Sequence, residues 1–322
     1  MKKYLAAVSA ILAAVLLTAC REKPRNESPV PVKLLYWNIQ NGMWDGQTDN
    51  YERFVNFVKE QDPDICVWCE AQSIYKSLSD EQMEVKDRYL VDGWGDLAKR
   101  YGHEYWGTGG WRDSYPQVIT SKYPITYVKK IVGEEPDSVV VHGAGWATVS
   151  IGSKTLNLVT LHTWPFAYAY RATDTEASKA AREGDAYRTM EIKYICDHTI
   201  SSAPSGDGLW MMMGDFNAVS PKDNDRYGYA PDDSRFLVHN YILGSTPYLD
   251  IIREKHPDTF RPTNGSKNRR IDFIYCTPPL LDKVTAADVI WDSYTTPVRN
   301  PDNLSNFWHP SDHLPIAVEF EL

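Results

Sequence analysis

Short apolar runs separated by polar segments recur along most of this chain. Their length and their content of β-branched and aromatic residues predict strands. The runs span residues 33–39, 64–70, 117–120, 145–151, 155–163, 209–213, 271–276 and 314–320. Only Gly152, Ser153 and Lys154 separate the fourth run from the fifth, which predicts a hairpin of antiparallel strands. The sheet structure is therefore predicted to be mixed.

Apolar residues at helical spacing lie between these runs. Tyr51, Phe54, Val55 and Val58 form one such stripe. Asp49 or Asn50 is predicted to cap this helix, and Pro63 to end it. A second helix is predicted over residues 182–200, and shorter ones over 87–101, 234–243 and 248–253. Helices interspersed among strands favour an α/β (α+β) fold.

The first twenty residues carry a different pattern. Lys2 and Lys3 precede an apolar stretch over residues 5–17, and small residues lead to Cys20. This resembles a bacterial lipoprotein signal, in which Cys20 is lipidated; the alternative is an ordinary secretory signal. We expect residues 21–32 to be a flexible tether and residues 33–322 to be a single domain. The predicted location is outside the cytoplasm, lipid-anchored in the cell envelope, facing the periplasm or at the cell surface.

Charge and cysteine content narrow the classes of function. The formal net charge of −9 argues against the broad basic surface that drives nonspecific nucleic-acid binding, although a local basic groove is compatible with it. Cys66 and Cys69 are three residues apart on a predicted strand, so they point to opposite faces and are interpreted as packing residues. A disulfide stays open for an exported protein, but no second cysteine pair supports a zinc site.

Polar, acidic or imidazole residues lie within six of the predicted strands or directly at their ends. They are Asn38, Glu70, His162, Asp215 with Asn217, Asp272, and Asp312 with His313. A buried charge is costly unless it is paired, so we expect these side chains to meet in one site. Asn38, Glu70, Asp215 and Asp312 offer oxygen atoms, which suit magnesium or manganese better than zinc.

The same residues suggest a reaction. A carboxylate such as Asp272 would orient His313 and favour its charged form. Asn217 can donate to a phosphate oxygen without repelling it, and Asp215 is suited to take a proton from water. A metal ion is needed because clustered carboxylates alone would repel a phosphate.

In this order along the chain, the motifs resemble those of the endonuclease/exonuclease/phosphatase superfamily over almost the whole mature chain. The motifs are Trp37-Asn38-Ile39, Glu70, residues 120–125, Leu161-His162-Thr163, Gly214-Asp215-Phe216-Asn217, residues 270–274 and residues 311–315. The resemblance implies a four-layer α-β-β-α sandwich of two mixed sheets. It also implies a magnesium-dependent hydrolase of phosphoester bonds that works by in-line attack of water.

The resemblance assigns a role to each matching residue. It implies that Glu70 is the principal metal ligand, with Asn38 and Asp312 close to the metal. Among the residues acting on the phosphoryl group, it implies that Asp215 activates or positions water and Asn217 contacts the phosphate. His162 would steady the phosphate or the leaving oxygen, and the Asp272–His313 pair would contact the scissile phosphate.

The substrate stays open at this level. An aromatic segment follows His162, and Trp164 and Phe166 would either stack on substrate or pack the loop, with His309 a further candidate for substrate contact. A phosphorylated small molecule, a lipid headgroup and a nucleic acid are the substrate classes considered. The alternatives are an extracellular nuclease and a catalytically silent binding protein on this fold. We expect a monomer whose membrane contact is its lipid anchor.

Overall fold

The computed structural model describes residues 28–43, 49–76, 81–88, 90, 92–109, 115–133, 139–202, 208–265, 268–299 and 308–322. Cys20 and most of the predicted tether lie outside these residues. No helix in the described ranges has the length and apolar character needed to cross a bilayer.

Strands supply most of the framework. They are β1 (Pro31–Asn38), β2 (Ile65–Cys69), β3 (Tyr105–Thr108), β4 (Val118–Ser121), β5 (Ile125–Ile131), β6 (Ala144–Ile151), β7 (Lys154–His162), β8 (Leu209–Asp215), β9 (Leu249–Asp250), β10 (Asp272–Cys276), β11 (Val284–Val289), β12 (Val298–Arg299), β13 (Trp308–His309) and β14 (Ile316–Glu321). One six-stranded sheet has the order β11-β14-β1-β2-β4-β3, the other the order β5-β6-β7-β8-β10-β9, and β12 pairs with β13.

Both six-stranded sheets are mixed, as predicted. β1 runs parallel to β2, and β7 runs parallel to β8, whereas the other neighbours are antiparallel. The predicted hairpin is the antiparallel pair β6–β7. Because parallel strands end at the same edge, the carboxyl ends of β1 and β2 lie together, as do those of β7 and β8.

Helices connect the strands. The α-helices are α1 (Glu52–Gln61), α2 (Trp94–Arg100), α3 (Thr175–Ala180), α4 (Glu183–Asp197), α5 (Asn224–Tyr227), α6 (Leu237–Ser245), α7 (Ile251–Lys255) and α8 (Pro278–Leu281). Single 3₁₀ turns occupy Val85–Asp87, Ile200–Ser202, Pro221–Asp223 and Ser234–Phe236.

Three apolar clusters define the layers. The inner cluster joins alternate residues of the two sheets, such as Leu34 and Tyr36 of β1 with Leu158 of β7 and Met213 of β8. The opposite face of each sheet packs on helices: Trp37 lies in the cluster of α1 and α2, and other buried residues pack on α4 and α6. The order helix, sheet, sheet, helix is the predicted four-layer sandwich.

The cysteines of the described residues are free and buried. Cys69 lies in the inner cluster and Cys66 in the cluster under α1, so the two side chains pack on opposite faces of β2. The interpretation as packing residues is confirmed.

Several boundaries differ from the prediction. The predicted cap of α1 is wrong: Tyr51 occupies the N-cap position and its side chain does not cap the helix, and Asp49 instead forms an ion pair with Arg53 at 2.9 Å. The helix predicted over 87–101 shortens to α2. β1 begins at Pro31, where it pairs with Glu321, two residues before the predicted strand.

Candidate active site

The strand ends bring the predicted site residues to one edge of the sandwich. Asn38 is the last residue of β1, and Glu70 directly follows β2. In the other sheet, His162 ends β7 and lies in register with Asp215, which ends β8. Asp272 begins the antiparallel strand β10 directly opposite Asp215. The topology therefore places side chains from both sheets at the same edge.

Asn38 links the two carboxylates that face each other across the sheets. Its Nδ2 donates to Glu70 Oε1 at 3.1 Å and to Asp215 Oδ2 at 3.2 Å. Its Oδ1 accepts from the backbone N–H of Gln40 at 3.1 Å, and its carbonyl accepts from Ser311 Oγ at 2.7 Å. The amide group is thus fixed between Glu70 and Asp215.

A left-handed turn after β1 holds Glu70. Residues 40–43 all have positive φ, with Asn41 at 52° and Gly42 at 68°. The turn directs the N–H of Asn41 to Glu70 Oε2 at 3.1 Å and that of Gly42 to the Glu70 carbonyl at 2.7 Å. A Cβ on Gly42 would lie 2.8 Å from the backbone nitrogen of Ser73, so this position requires glycine.

His162 faces the same two carboxylates at a longer distance. Its Nε2 lies 3.8 Å from Glu70 Oε1 and 3.8 Å from Asp215 Oδ2. These separations exceed hydrogen-bond length. Burial, and then the nearby His142 and His313, lower the pKa of His162 well below its usual value. The ring is therefore neutral at pH 7.

His313 has the opposite electrostatic character. Its Nδ1 donates to Asp272 Oδ2 at 2.7 Å, and its Nε2 lies 3.6 Å from Asp312 Oδ1 and 3.8 Å from Asp215 Oδ2. Burial alone would lower its pKa, but the charges of Asp272 and Asp312 raise it well above the usual value. His313 is therefore a cation at neutral pH. Tyr36 donates its hydroxyl to the other oxygen of Asp272 at 2.8 Å.

Asp215 lies at the centre of this arrangement. Burial, and then the negative charge of Asp272, raise the pKa of Asp215 to about 8. Burial likewise raises the pKa of Glu70. Glu70 and Asp215 therefore both resist ionisation. A cation bound beside them would stabilise their charged carboxylate forms.

The potential metal-ligand atoms near Glu70 and Asp215 are close enough to coordinate a single ion. The ligand atoms of Glu70, His162 and Asp215 all lie within 4.8 Å of one another. Asp215, Asp272 and His313 also cluster, but there the Asp272–His313 hydrogen bond already satisfies the charges. The residues therefore fit a divalent cation beside Glu70 and Asp215, with Asn38 and Asp312 close by.

Asn217 is held next to Asp215 by the turn after β8. Its backbone N–H donates to Asp215 Oδ1 at 2.8 Å, and its Nδ2 donates to the carbonyl of Thr163 at 3.1 Å. Its φ of 46° lies in the left-handed region, which asparagine tolerates better than most residues. The amide carries a second N–H hydrogen, which is suited to an anionic ligand.

The aromatic segment after His162 divides into a packed and an exposed part. Trp164 is 8% exposed, and its Nε1 donates to the carbonyl of Tyr168 at 2.6 Å. Phe166 is 48% exposed and stacks on Tyr168. Trp164 thus holds the loop in place, whereas Phe166 is free to contact a ligand. His309 Nε2 lies 3.1 Å from Arg53 Nη1. Substrate contacts by these residues stay predictions.

Sequence reasoning missed several residues that support the site. Tyr36 reads as one more apolar strand residue, yet it binds Asp272. His142 packs its ring on His162, with centroids 4.6 Å apart. Glu191, inside α4, accepts the N–H of Val141 at 3.0 Å and that of Trp164 at 2.8 Å. Glu191 shares the buried face of α4 with the charged Asp185 and Arg188, and no local pattern indicated it.

A buried ion-pair network fixes the start of β10. Arg270 donates Nε to Asp223 at 2.8 Å and two Nη atoms to Asp250 at 2.8 and 2.6 Å. Arg253 donates Nε to the other oxygen of Asp223 at 2.6 Å. Since Arg270 lies two residues before Asp272, this network positions the acid that pairs with His313.

Comparison with solved structures gives close matches in shape. An AP endonuclease from Archaeoglobus fulgidus superposes with a TM-score of 0.59 and 17% identity, covering 90% of this chain and 99% of that one. The 3′ phosphatase NExo from Neisseria, bound to product DNA hairpin, gives 0.59 and 16%, covering 90% and 100%. An endonuclease/exonuclease/phosphatase family protein from Bacteroides thetaiotaomicron gives 0.58 and 15%, covering 91% and 98%.

By sequence, no family model matches this chain, and no curated protein matches it. At such low identity the structural matches establish the fold alone. The chain has the fold of the endonuclease/exonuclease/phosphatase proteins, as the resemblance of its motifs predicted.

Proposed function

We propose that this chain, with its endonuclease/exonuclease/phosphatase fold, is a divalent-metal-dependent hydrolase of a phosphodiester or phosphomonoester. One observation carries the proposal. Nε2 of neutral His162 and Nε2 of cationic His313 both lie 3.8 Å from Asp215 Oδ2, and Glu70 faces the same space. This spacing is too long for direct hydrogen bonds and suits a bound ion and a phosphoryl group.

Glu70 and Asp215 would hold the cation, with Asn38 and Asp312 beside it and His162 opposite. Their oxygen atoms favour magnesium or manganese over softer metals. When bound, the cation supplies positive charge that screens the acids and stabilises the negative charge developing on the phosphoryl oxygens. The raised pKa of Asp215 and Glu70 supports this assignment because a cation would relieve their unfavourable ionisation.

The protein side chains would divide the remaining work. Asp215 would orient the attacking water and accept its proton at a carboxylate oxygen. His313, kept charged by Asp272, would donate Nε2–H to a nonbridging oxygen, and the Asn217 amide would donate to another. Neutral His162 would donate to the phosphate or the leaving oxygen. His313 and Asn217 are each already held by hydrogen bonds to other protein groups, so they need little reorganisation on reaction.

A nuclease is the second candidate. Two structural matches are described with DNA products: NExo bound to a product DNA hairpin, and Danio rerio TDP2 complexed with single strand DNA product. The net charge of −9 weighs against avid nonspecific binding to DNA. Cleavage of DNA at low salt with magnesium would favour this candidate over a small phosphorylated molecule or a lipid headgroup.

A catalytically silent binding protein is the rival of another class. Such a protein would be expected to lack at least one residue of the phosphoryl-handling set. That set is complete here: Glu70, Asp215, Asn217, Asp272 and His313.

The cellular location is also part of the proposal. We infer export and lipid anchoring at Cys20 from the lipoprotein-like signal, which supports a location in the cell envelope. Membrane fractionation of the full chain and of Cys20→Ser tests this. Equal partition of both proteins into the soluble fraction would contradict the anchor.

Hydrolysis of bis-p-nitrophenyl phosphate and p-nitrophenyl phosphate tests the activity, with magnesium, with manganese and with chelator. We expect turnover only with added metal, and losses of at least about 100-fold in Asp215→Asn and His313→Ala. Asp197→Asn, an exposed acid at the far end of α4, is the control. Undiminished activity in chelator would exclude the proposed mechanism.

A further inference from the structure

A cleft of about 140 Å³ opens beside Asn217 and Ile271, the neighbours of the catalytic acids in sequence. Arginines dominate its wall. They are Arg182, Arg188, Arg235 and Arg269. Such a concentration of positive charge is unusual in a chain with a net charge of −9, and it lies next to the phosphate contact predicted for Asn217.

Arg188 forms the buried floor of the cleft. Its side chain is 3% exposed, and its Nη1 donates to the carbonyls of Trp164 at 2.9 Å and Phe166 at 2.8 Å. Its Nη2 pairs with Asp185. Its Nε is buried and has no acceptor among the described residues. A buried donor without an acceptor is costly, so the charge of Arg188 is incompletely compensated and an anion in the cleft would stabilise it.

Two more arginines line the cleft with their geometry fixed. Arg182 donates Nε to Asp185 Oδ2 at 2.8 Å and Nη2 to Oδ1 at 3.2 Å. Arg235 pairs with Asp233 at 2.6 Å and lies over the ring of Tyr229, 4.3 Å from its centroid. Both guanidinium groups stay about one-third exposed and keep further N–H donors for an anion.

Arg269 completes the wall without a competing acid. Its side chain is exposed, and within the described ranges no acceptor or carboxylate pairs with its guanidinium. Within the described part of the chain, the ion pairs of these arginines are with Asp185 in the wall and Asp233 behind Arg235, and the carboxylate of Glu191 lies near Arg188. Positive charge therefore remains in excess, and planar guanidinium groups match the oxygens of a phosphate.

We propose that this cleft binds a second, non-reacting phosphate group of the substrate. The substrate class is then a molecule with two phosphate groups, one hydrolysed between Asp215 and His313 and one held by the arginines. The inference rests on the proposed phosphoesterase function and narrows it. Asn217 connects the two places because it contacts Asp215 and also lines the cleft.

The dimensions of the cleft agree with this ligand. A water molecule takes up about 30 Å³ of liquid. The cleft volume of about 140 Å³ therefore accommodates a tetrahedral phosphate group together with a short part of its carrier.

Paired chromogenic diesters test the proposal. One probe is a 4-nitrophenyl methoxyalkyl phosphate, and the other carries a terminal phosphate instead of the methoxy group, in a series of short alkyl spacers. The leaving group is identical, so only the pendant phosphate differs. We expect kcat/KM to be at least about tenfold higher for the best phosphorylated probe, which equals about 1.4 kcal/mol.

Arg269→Gln should reduce that preference about tenfold, because it removes a charged donor and disturbs no internal ion pair. Arg226→Gln is the matched control, an exposed arginine outside the cleft that packs over Phe260. It should leave the preference intact. Equal kcat/KM for both probes, or equal preference in both variants, would overturn the second-phosphate site while phosphoesterase activity still stands.

Absence of turnover with all 4-nitrophenyl esters would instead reject the proposed function and this inference with it. A further arm separates a substrate phosphate from free phosphate. If inorganic phosphate inhibits hydrolysis of the methoxy probe less strongly in Arg269→Gln, and the pendant phosphate gives no advantage, the cleft binds free phosphate and the substrate assignment is wrong.

Discussion

Nδ1 of His313 lies 2.7 Å from Oδ2 of Asp272, and this hydrogen bond joins the two sheets of the sandwich. Asp272 begins β10 in one sheet, whereas His313 precedes β14 in the other. Asn38 makes a second connection, from β1 to Asp215 at the end of β8. The site is therefore assembled across the interface between the sheets.

Replacement of Asp272 by asparagine should lower the pKa of His313. In the wild-type protein the pKa of His313 is higher in the folded than in the unfolded state, so the protonated ring stabilises the fold. This contribution is complete at pH values below the unfolded pKa of about 6.5, and it is lost as pH rises through the folded pKa. We expect the Asp272→Asn protein to lack this alkaline loss of stability. Imidazole titration by NMR and urea unfolding between pH 6 and 10, in chelator, measure the two effects. An unchanged His313 titration in the variant would contradict the pairing.

Tyr36→Phe should have a milder effect on the same pair. It removes one buried hydrogen bond to Asp272 but keeps the acid and the aromatic ring. We expect a loss of about 0.5–1.5 kcal/mol in the free energy of unfolding and a small decrease in kcat. Denaturant unfolding and steady-state kinetics measure both. A decrease in kcat as large as the roughly 100-fold loss expected for His313→Ala would contradict this supporting role of Tyr36.

Divalent cations should stabilise the protein through Glu70 and Asp215. At a magnesium concentration about 100 times the dissociation constant, the gain in stability is about 2.7 kcal/mol. We expect a rise in Tm with magnesium for the wild-type protein and a much smaller rise for Glu70→Gln. Glu319→Gln, an exposed acid on β14, is the matched control. A full magnesium shift in Glu70→Gln would place the cation elsewhere.

Glu191 should make stability depend on pH. Burial raises the pKa of Glu191 from its usual value to about 8, so the folded state binds the proton more tightly than the unfolded state. Stability therefore falls as pH rises from about 4.5 towards 8, by a few kcal/mol in total. Glu191→Gln should show a flatter profile in thermal unfolding across this range. A steeper profile in the variant would be inconsistent with this sign.

Loss of the buried Arg270 charge should be severe. Arg270→Met would leave Asp250 without its bidentate partner and Asp223 with Arg253 alone, at a cost of about 3–5 kcal/mol. Arg261→Met, which breaks an exposed ion pair with Asp288, should cost at most about 1 kcal/mol. Chemical unfolding of both variants compares the two environments. Equal losses would argue that burial does not govern these pairs.

Central strands such as β2, β8 and β10 were predictable because they are buried on both faces and read as continuous apolar runs, and β6 was predictable from its hairpin with β7. The edge strands were not predicted. β3 and β11 lie at the edges of one sheet, and β5 and β9 lie at the edges of the other. β11 has the sequence Val-Thr-Ala-Ala-Asp-Val, in which half-exposed positions remove the apolar signal. Edge strands acquire their conformation from one neighbour, which a local pattern does not reveal.

The residues of the site likewise fall into two groups, those that could be predicted from the sequence and those that could not. Acids and imidazoles at strand ends, such as Glu70 and His162, stand out from their apolar surroundings and were found from sequence. Their supporting partners Tyr36, His142 and Glu191 were missed because each contact joins residues far apart in the chain. The arginine cleft was missed for the same reason, since its members come from four separate segments.

Packing in the inner cluster between the sheets determines which substitutions the activity of this protein can tolerate. Side chains such as Met213 and Ile316 lie in this cluster, and they set the distance between the strand that ends at Asp215 and the strand that follows His313. Adding or removing one methylene there would alter the reach of hydrogen bonds at the rim. Random mutagenesis scored by turnover should therefore recover hits deep in the interior, at positions where folding is retained and only alignment is lost.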